Sequence, residues 1–121
     1  MHMKTDYVQK ILACCQKMEG VLRHDLPMWI YNRYFLKGCK YARALIDEGR
    51  SAEILPYLDD ENVLVRRIFA GFFFHCYPEQ CRAVLQELSE MTFATGLPRH
   101  LGMIAGSAGM ALEIGIPEDF P

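Results

Sequence analysis

Residues 59–75, DDENVLVRRIFAGFFFH, decide how this chain can fold. Polar and acidic residues lead directly into a run in which paired arginines lie beside three consecutive phenylalanines. Asp60 or Asn62 can cap a helix from Val63 to about Cys76, because a side-chain oxygen there accepts a hydrogen bond from a free N–H group of the first turn. Negative charge at a helix start also suits the helix dipole. The stretch therefore predicts a turn followed by a helix that carries both aromatic and positively charged residues.

Helical spacing recurs on both sides of this stretch, while no segment alternates apolar and polar residues over several positions between turn signals. The sequence therefore predicts an all-α protein of about six helices. They cover approximately residues 6–22, 26–47, 51–58, 63–76, 78–91 and 98–114. Gly20 is expected to end or kink the first helix, and Pro56 to break or shorten the third.

The sixth helix carries glycines three and four residues apart, at positions 102, 106 and 109. Glycine inside a helix is unfavourable by about 1 kcal/mol relative to alanine, so three of them call for a reason in packing. We predict that a neighbouring helix approaches this face closely, in preference to a role in cradling a ligand.

The chain has 121 residues, of which 51% are hydrophobic and 23% charged, so it can bury a core without help from metal or disulfide. We predict a single domain over residues 1–121. No apolar run is long enough for a membrane span, and the start MHMKTD lacks the apolar core of a signal peptide, which favours a cytoplasmic protein. The five cysteines lie in apolar helical stretches, which is typical of reduced thiols that pack as small hydrophobes.

Positive and negative charges are distributed unevenly along the chain. Residues 1–50 have nine Lys or Arg and five Asp or Glu, a net charge of +4. Residues 51–121 have four and ten, a net charge of −6, and the two parts sum to the −2 of the whole chain. This polarity bears on the choice of partner and on the rate of association.

Six helices with short connections allow either a closed bundle or a stack of antiparallel helix pairs. Residues 53–76, EILPYLDDENVLVRRIFAGFFFHC, resemble a HEAT-type repeat unit, with a short helix, a turn rich in Asp and Asn, and Val-Arg at the opening of the second helix. In such a unit Val65 fills the space between the paired helices and Arg66 can reach carboxylates of the turn. The resemblance favours HEAT-like antiparallel pairs, that is, a short α-solenoid.

The upstream segment YNRYFLKGCKYARAL, followed by this unit, resembles a bacterial family of small HEAT-like helical domains of unknown function. Asn32 and Arg33 match an Asn-Arg pair in the long helix of that family. Asp60, Val65 and Arg66 match its turn, while IFAGFFFH departs from the alanine-rich stretch that follows the turn in the family. The resemblance implies a curved helical stack with no established catalytic activity. Relatives of this kind are often encoded beside bacterial toxins and are suspected immunity proteins.

The face of the second helix opposite its apolar stripe carries Arg33, Lys37 and Lys40, with Trp29 among them. Cations interleaved with an aromatic residue can contact a protein, or can hold nucleic-acid phosphates as some HEAT-like stacks do. The acidic second half of the chain argues against a dedicated nucleic-acid binder, and a solvated face is the commonest role of such a charge pattern. Asn32 and Arg33 can also be structural, with side chains that satisfy helix ends or turn carboxylates.

On the fourth helix, at about 100° per residue, the core side is predicted to gather Val65, Ile68, Phe69, Phe72 and Cys76. Arg67, Ala70 and Phe74 fall on the opposite side. An exposed aromatic residue beside arginines has the composition of an interface hot spot, which makes Arg67 and Phe74 candidates for partner binding. The alternative is that Phe74 packs against a neighbouring helix, which a stacked architecture favours.

Patterns for a metal site or a nucleophile are weak. His75, Cys76 and Cys81 lie close in sequence, but no second pair of ligands at zinc spacing completes them. The sequence has no Gly-rich phosphate loop and no HExxH pattern, and no orienting group accompanies a Cys-His pair. We therefore predict no catalytic residue, no metal site and no cofactor.

The predicted function is that of a non-enzymatic protein-binding module. The family resemblance makes this more specific: a bacterial immunity protein that binds and neutralises a cognate toxin. The residues predicted to bind the partner are Trp29, Arg33, Lys37, Lys40, Arg67 and Phe74. The residues predicted to form the structural motif are Asn32, Asp60, Val65 and Arg66. The alternative function is nucleic-acid binding through the basic face of the second helix.

Overall fold

The computed structural model describes residues 4–121, which form helices and connecting turns with no β-strand in that range. Its five α-helices are α1 (Tyr7–Arg23), α2 (Met28–Asp47), α3 (Val63–Phe72), α4 (Pro78–Glu90) and α5 (Arg99–Ile114). Two 3₁₀ segments cover Ser51–Asp59 and Met91–Phe93. The predicted all-α class is confirmed, and each of the six predicted helices has a counterpart. In the described range, no helix has both the length and the apolar character that crossing a membrane requires.

The chain divides into two compact units, one that ends at Glu53 and one that covers Ile54–Pro121. Each unit has its own buried residues and is described by itself below. The single domain over residues 1–121 and the stacking of helix pairs both stay predictions.

The first unit is a hairpin in which α1 and α2 pack against each other. Asp6 is the N-cap of α1, since its carboxylate accepts a hydrogen bond from the Gln9 N–H at 3.1 Å. Gly20 was expected to end or kink this helix. The helix instead continues past Gly20 to Arg23. Val21 lies directly beyond Gly20 and is 2% exposed, so packing against the hairpin core continues the helix past the glycine.

The second helix of the hairpin ends where the sequence predicts. Its last residue is Asp47, and Gly49 follows with φ +70°, in the left-handed region that favours glycine. The Gly49 N–H donates to the Ile46 carbonyl at 2.9 Å, which satisfies one of the free acceptors at the helix end. The core of the hairpin includes Val8, Ile11, Cys15, Met18, Val21, Ala42 and Leu45.

In the second unit α3 is the central helix, because it packs against both α4 and α5, which also pack against each other. The aromatic run of α3 belongs to the core: Phe69, Phe72 and Phe73 are at most 1% exposed. The Phe69 ring stacks on that of Tyr57 in the first 3₁₀ segment, with centroids 5.3 Å apart, and on that of Phe73 at 6.0 Å. The phenylalanines of the deciding stretch therefore hold the second unit together.

Two of the predicted helices differ in type or in length. Residues 51–58, predicted as a short helix, form 3₁₀ turns. Pro56 explains this, because proline has no N–H to donate and its ring crowds the preceding turn of an α-helix. The following helix was predicted to reach about Cys76, but α3 ends at Phe72 and turns follow it.

The C-terminal segment contacts the end of α3. The Phe120 ring lies 5.8 Å from that of Phe72, and the His75 Nε2 atom lies 2.7 Å from the Pro117 carbonyl oxygen. These contacts lie just where the polypeptide leaves α3, so the segment after α5 completes the core around the last phenylalanines.

The glycine face of α5 is covered at one position only. A Cβ added at Gly109 would lie 3.7 Å from the Cβ of Ser89 on α4, which is ordinary van der Waals contact. At Gly102 and Gly106 an added Cβ would meet no described atom within 4 Å. The predicted close approach of a neighbouring helix is therefore correct for Gly109 and wrong for the other two glycines.

Candidate partner-binding surface

One side of α2 packs on α1, and the other side faces solvent. Gly38, Ala42 and Leu45 are buried on the packed side. On the exposed side, Trp29 and Leu36 are 63% and 62% exposed. These two residues are seven positions apart, or about two turns, so they lie along the same side of the helix. We call the exposed set the outer face of α2; it consists of Trp29, Arg33, Leu36, Lys37 and Lys40.

The outer face carries positive charge that the described part of the chain does not neutralise. Arg33, Lys37 and Lys40 are all exposed, and none of them forms an ion pair with a carboxylate in residues 4–121. Arg43, one turn beyond Lys40, is paired with Asp47 at 3.6 Å. The four partner-binding residues predicted on the second helix therefore share one exposed side, and three of them are free cations.

Two further exposed apolar residues, which were not predicted to bind a partner, extend this surface. Leu26 and Met28 precede Trp29 and are 45% and 46% exposed. Their signal was weak because they lie in the short loop and first turn before helical periodicity is established. With them, the start of α2 presents a cluster of exposed apolar side chains beside the cations.

Arg67, predicted to bind a partner, is engaged inside the second unit. Its Nε donates to the Ser107 hydroxyl at 2.9 Å and its Nη2 to the Ser107 carbonyl at 3.4 Å, which joins α3 to α5. The side chain is half-buried and passes close to Gly71, where an added Cβ would lie 2.7 Å from Nη1. These hydrogen bonds hold α3 and α5 together, so Arg67 has a structural role.

Phe74 is also half-buried. The guanidinium of Arg82 on α4 lies over its ring at 5.6 Å, and the ring of His75 meets it edge-on at 5.6 Å. Packing against a neighbouring helix was the alternative that the sequence analysis left open for Phe74, and the contact with α4 is of that kind. Ala70 was placed on the same outward side, yet it is 0% exposed, because α3 has a neighbouring helix on more than one side.

Most of the predicted structural motif lies at the start of α3. Asn62 is the N-cap, with its Oδ1 accepting from the Val65 N–H at 3.1 Å, and Asp60 Oδ2 accepts from the Asn62 N–H at 2.9 Å. Val65 is buried. Both cap candidates therefore accept a backbone hydrogen bond: Asn62 from the first turn of α3, and Asp60 from the turn that precedes the helix. Asn32 lies elsewhere, exposed on α2.

Arg66 joins α3 to α4. Its Nη1 donates to Glu87 Oε1 at 2.9 Å, whereas the sequence analysis expected it to reach carboxylates of the turn. The guanidinium is largely covered, with the side chain 17% exposed, and Nε is buried without a hydrogen-bond partner among the described residues. Arg66 does not reach the turn because it is the fourth residue of α3. At that position its side chain points towards α4 and away from the capping residues.

A third cation, Arg50, closes the first unit. Its Nε donates to Glu53 Oε2 at 2.7 Å, Nη1 to Glu48 Oε1 at 3.0 Å and Nη2 to the Thr5 carbonyl at 3.0 Å. Hydrogen bonds to Glu53 and Glu48 raise the pKa of Arg50. The hydrogen bond from Arg50 lowers the pKa of Glu53, and that of Glu48 is lowered by hydrogen bonds from Arg50 and Tyr7. The segment after α2 is thereby fastened to the segment before α1.

An exposed apolar stripe on α5 was missed. Met103, Met110 and Ile114 are 40%, 54% and 74% exposed, and they lie along one side of the helix at intervals of seven and four residues. The spacing is visible in the sequence, but the prediction for this helix concerned only its glycine face and the close approach of a neighbouring helix there. This stripe belongs to the second unit.

Two of the thiols, those of Cys39 and Cys81, are poorly suited to nucleophilic chemistry. None of the five cysteines forms a disulfide within residues 4–121. Burial, with a further contribution from Cys76, raises the pKa of Cys81 to about 12, and burial raises the pKa of Cys39 to about 11 against the effect of a backbone hydrogen bond. A thiol with so high a pKa is protonated at neutral pH and reacts slowly. Residues 4–121 contain no cluster of three or more side chains of the types that bind metal ions.

No family model, curated protein or solved structure matches this chain. The resemblance to small HEAT-like domains therefore stays a prediction.

Proposed function

We propose that this chain is a non-enzymatic protein-binding module and that the outer face of α2 is its contact surface. The supporting observation is the exposure of Trp29 and Leu36, at 63% and 62%, within a row of cations. Tryptophan and arginine are enriched among the residues that dominate binding energy at protein interfaces. Covering the exposed Trp29 side chain with a partner would therefore contribute to the binding energy.

The partner we expect carries carboxylates around an apolar pocket. Arg33, Lys37 and Lys40 form no ion pair within residues 4–121, so their charges are available to an acidic surface. The net charge of +4 over residues 1–50 extends this attraction over a longer range and speeds the encounter. Because the residues lie on a helix that is already formed, binding loses less conformational entropy than ordering a loop would.

A finer version of the proposal is that the protein is a bacterial, cytoplasmic immunity protein and that the partner is a cognate toxin. Its support is the sequence resemblance carried by Asn32, Arg33, Asp60, Val65 and Arg66. In this version, α2 covers the active site or another essential surface of the toxin. A toxin gene directly upstream of the gene for this chain is the cheapest observation that would strengthen it.

The contact surface is tested by retention of a partner on immobilised protein. The wild-type chain, Trp29→Ala and Arg33→Glu are compared with Phe93→Ala as a matched control, since Phe93 is 86% exposed but lies in the second unit. We expect the partner to be retained by the wild type and the control and lost with both α2 variants. Equal retention by all four proteins contradicts the proposed surface.

The toxin version is tested by growth. A candidate partner that stops growth when expressed alone should be neutralised by co-expression of the wild-type chain and of Phe93→Ala, but not of Trp29→Ala. A partner that binds through α2 yet has no effect on growth would leave the binding module in place and remove the immunity function.

A second candidate function is binding of nucleic acid, favoured by the exposed cations of α2 beside Trp29. Lysines and arginines can neutralise phosphates while the indole ring stacks on a base. This version predicts retention of oligonucleotides that weakens steeply with salt and disappears in Lys37→Glu and Lys40→Glu. Binding that is absent at low salt excludes it. The net charge of −6 over residues 51–121 is the reason to rank it second.

A further inference from the structure

An open groove runs along the junction of α1 and α2 in the first unit. Its volume is about 360 Å³, within the range of about 300 to 1,000 Å³ that small-molecule sites occupy. We call it the lysine groove; it is lined by Lys10, Ala13, Cys14, Lys17, Tyr34, Lys37 and Tyr41. Three of these side chains are cations, two are aromatic, and none is a carboxylate.

The two helices supply the lysines from opposite sides. Lys10 and Lys17 are seven residues apart on α1, so their Cα atoms are separated by about 10 Å along the helix axis. Lys37 comes from α2. Lys37 lines the groove together with Cys14 of α1. Burial raises the pKa of the Cys14 thiol, and the positive charge of Lys37 partly offsets that effect. The three positive charges therefore line an elongated groove.

The charges of the groove have no counter-charge in the described part of the chain. Arg23 and Arg43 each pair with a carboxylate one turn away on the same helix, and Arg50 pairs with two. Lys10, Lys17 and Lys37 form no such pair within residues 4–121. Like charges gathered in one concavity raise the local concentration of anions and favour their binding.

The tyrosines differ in what they already contact. The Lys10 ammonium lies 5.5 Å from the centre of the Tyr41 ring. The centres of the Tyr7 and Tyr41 rings are 6.4 Å apart. Tyr34 is half-buried and has no ring or cation contact among the described residues. The Tyr34 ring, which lines the groove, is therefore available for stacking.

We propose that the lysine groove binds a small organic polyanion with adjacent phosphate groups, and that a nucleoside diphosphate is the form that uses both the lysines and Tyr34. Lysine binds phosphate as a point charge, and three lysines spread along the groove suit an extended diphosphate better than a single phosphate. An aromatic side chain stacks on a base of any identity. This site shares Lys37 with the outer face of α2 but not its other residues. Lys10 and Lys17 lie on α1, so variants of these two lysines and of Tyr34 test the groove separately from the protein-binding surface.

The test is a calorimetric or NMR titration with two probes, ADP and inorganic pyrophosphate, at low salt. We expect saturable binding of both. Lys10→Gln and Lys17→Gln should each weaken both probes by about threefold to fivefold, as expected for partly exposed charge pairs. Tyr34→Leu should weaken ADP by about fivefold or more, since stacking on an aromatic side chain is worth about 1 to 3 kcal/mol per base, and leave pyrophosphate unchanged. Lys40→Gln is the matched control, since Lys40 is exposed on α2 but does not line the groove.

Two results would overturn the proposal. One is the absence of saturable binding of either probe to the wild-type chain. The other is a loss with Lys40→Gln equal to that with Lys17→Gln, because the anions would then respond to the net charge of the first unit alone. If pyrophosphate binds as tightly as ADP and Tyr34→Leu has no effect on either, the nucleoside part is wrong and the phosphate site stands. Loss of protein-partner binding by Trp29→Ala is unaffected by any of these outcomes, so failure of the groove and failure of the contact surface are distinguishable.

Discussion

The two units use the same residue types in opposite ways. In the second unit, Arg66 and Arg67 bond to Glu87 and Ser107 on neighbouring helices, and Phe69 is fully buried. In the first unit, the cations of the outer face of α2 have no carboxylate partner among the described residues, and Trp29 is mostly exposed. Arginine beside an aromatic residue thus marks a core contact in one unit and an open surface in the other.

The difference comes from how many neighbours a helix has within its unit. α3 packs against α4 and α5 and also contacts the 3₁₀ segment through Tyr57, so its side chains meet protein in nearly every direction. Within the first unit the main packing partner of α2 is α1, and the side of α2 that carries Trp29 and Leu36 is exposed. A composition typical of an interface therefore indicates a surface only when the helix has a side that no neighbour covers.

The largest effect that separates the units is expected from aromatic truncation. Phe69→Ala should lower the free energy of unfolding by about 3–5 kcal/mol, because it removes a fully buried ring that stacks on two others. Trp29→Ala, the corresponding change in the first unit, should alter it by no more than about 0.5 kcal/mol, because the indole is 63% exposed. Urea unfolding followed by circular dichroism measures both. A loss with Trp29→Ala as large as that with Phe69→Ala would show that the indole is core and would remove the contact surface.

Arginine truncation gives the next largest difference. Arg67→Ala removes hydrogen bonds from a charged group to Ser107 and should lower the free energy of unfolding by about 1 to 2 kcal/mol. Arg33→Ala should change it by less than about 0.5 kcal/mol while weakening partner binding. The same urea experiment applies. Ser107→Ala combined with Arg67→Ala gives a double-mutant cycle, and additive losses in that cycle would contradict the hydrogen bond as the cause.

Most of the fold could be predicted from the sequence because its signals are local. Asn62 and Asp6 cap helices through hydrogen bonds within three residues, and Gly49 ends α2 through its own backbone conformation. The predicted end of α3 was wrong because that end depends on a contact between distant segments. α3 stops at Phe72, where the ring of Phe120 packs, and no local pattern near Phe72 predicts that contact.

The candidate surface could be predicted where a single neighbouring helix decides exposure. For α2 the apolar stripe identifies the packed side, and the opposite side is open, so Trp29, Lys37 and Lys40 were correctly expected to share it. For α3 the helical wheel gives one core side, but a second neighbour covers Ala70 and bonds to Arg67. Periodicity reports the strongest apolar side and carries little information about a second one.

Two asparagines test the capping role at a smaller scale. Asn62→Ala removes the side-chain acceptor from the first turn of α3 and should lower the free energy of unfolding by about 1 kcal/mol. Asn32→Ala, inside α2 at an exposed position, should be neutral or slightly stabilising, because alanine has the higher helix propensity. Thermal unfolding of the two variants in parallel measures this. A larger loss with Asn32→Ala would restore the structural role that the sequence resemblance implied for Asn32.

The smallest effect concerns pH and the closure of the first unit by Arg50. The pKa values of Glu53 and Glu48 are lowered from 4.5 by their hydrogen bonds to Arg50, with Tyr7 adding to the effect on Glu48. Groups whose pKa is lower in the folded than in the unfolded state contribute stability that is fully present above their ordinary pKa. That contribution is lost as the pH falls from about 4.5 through the lowered pKa values.

Arg50→Gln removes the cause of both shifts. The variant should be less stable than the wild type at neutral pH, and the difference in urea midpoint between the two should shrink steadily as the pH falls below about 4.5. Arg23→Gln is the control, because its pair with Glu19 lies on the surface of α1 and Arg23 is 55% exposed, so we expect a smaller difference at every pH. The contradicting result is a midpoint difference for Arg50→Gln that is the same in acid as at neutral pH. The hairpin would then be closed by packing of the Arg50 side chain against the Tyr7 ring, and not by hydrogen bonds to carboxylates.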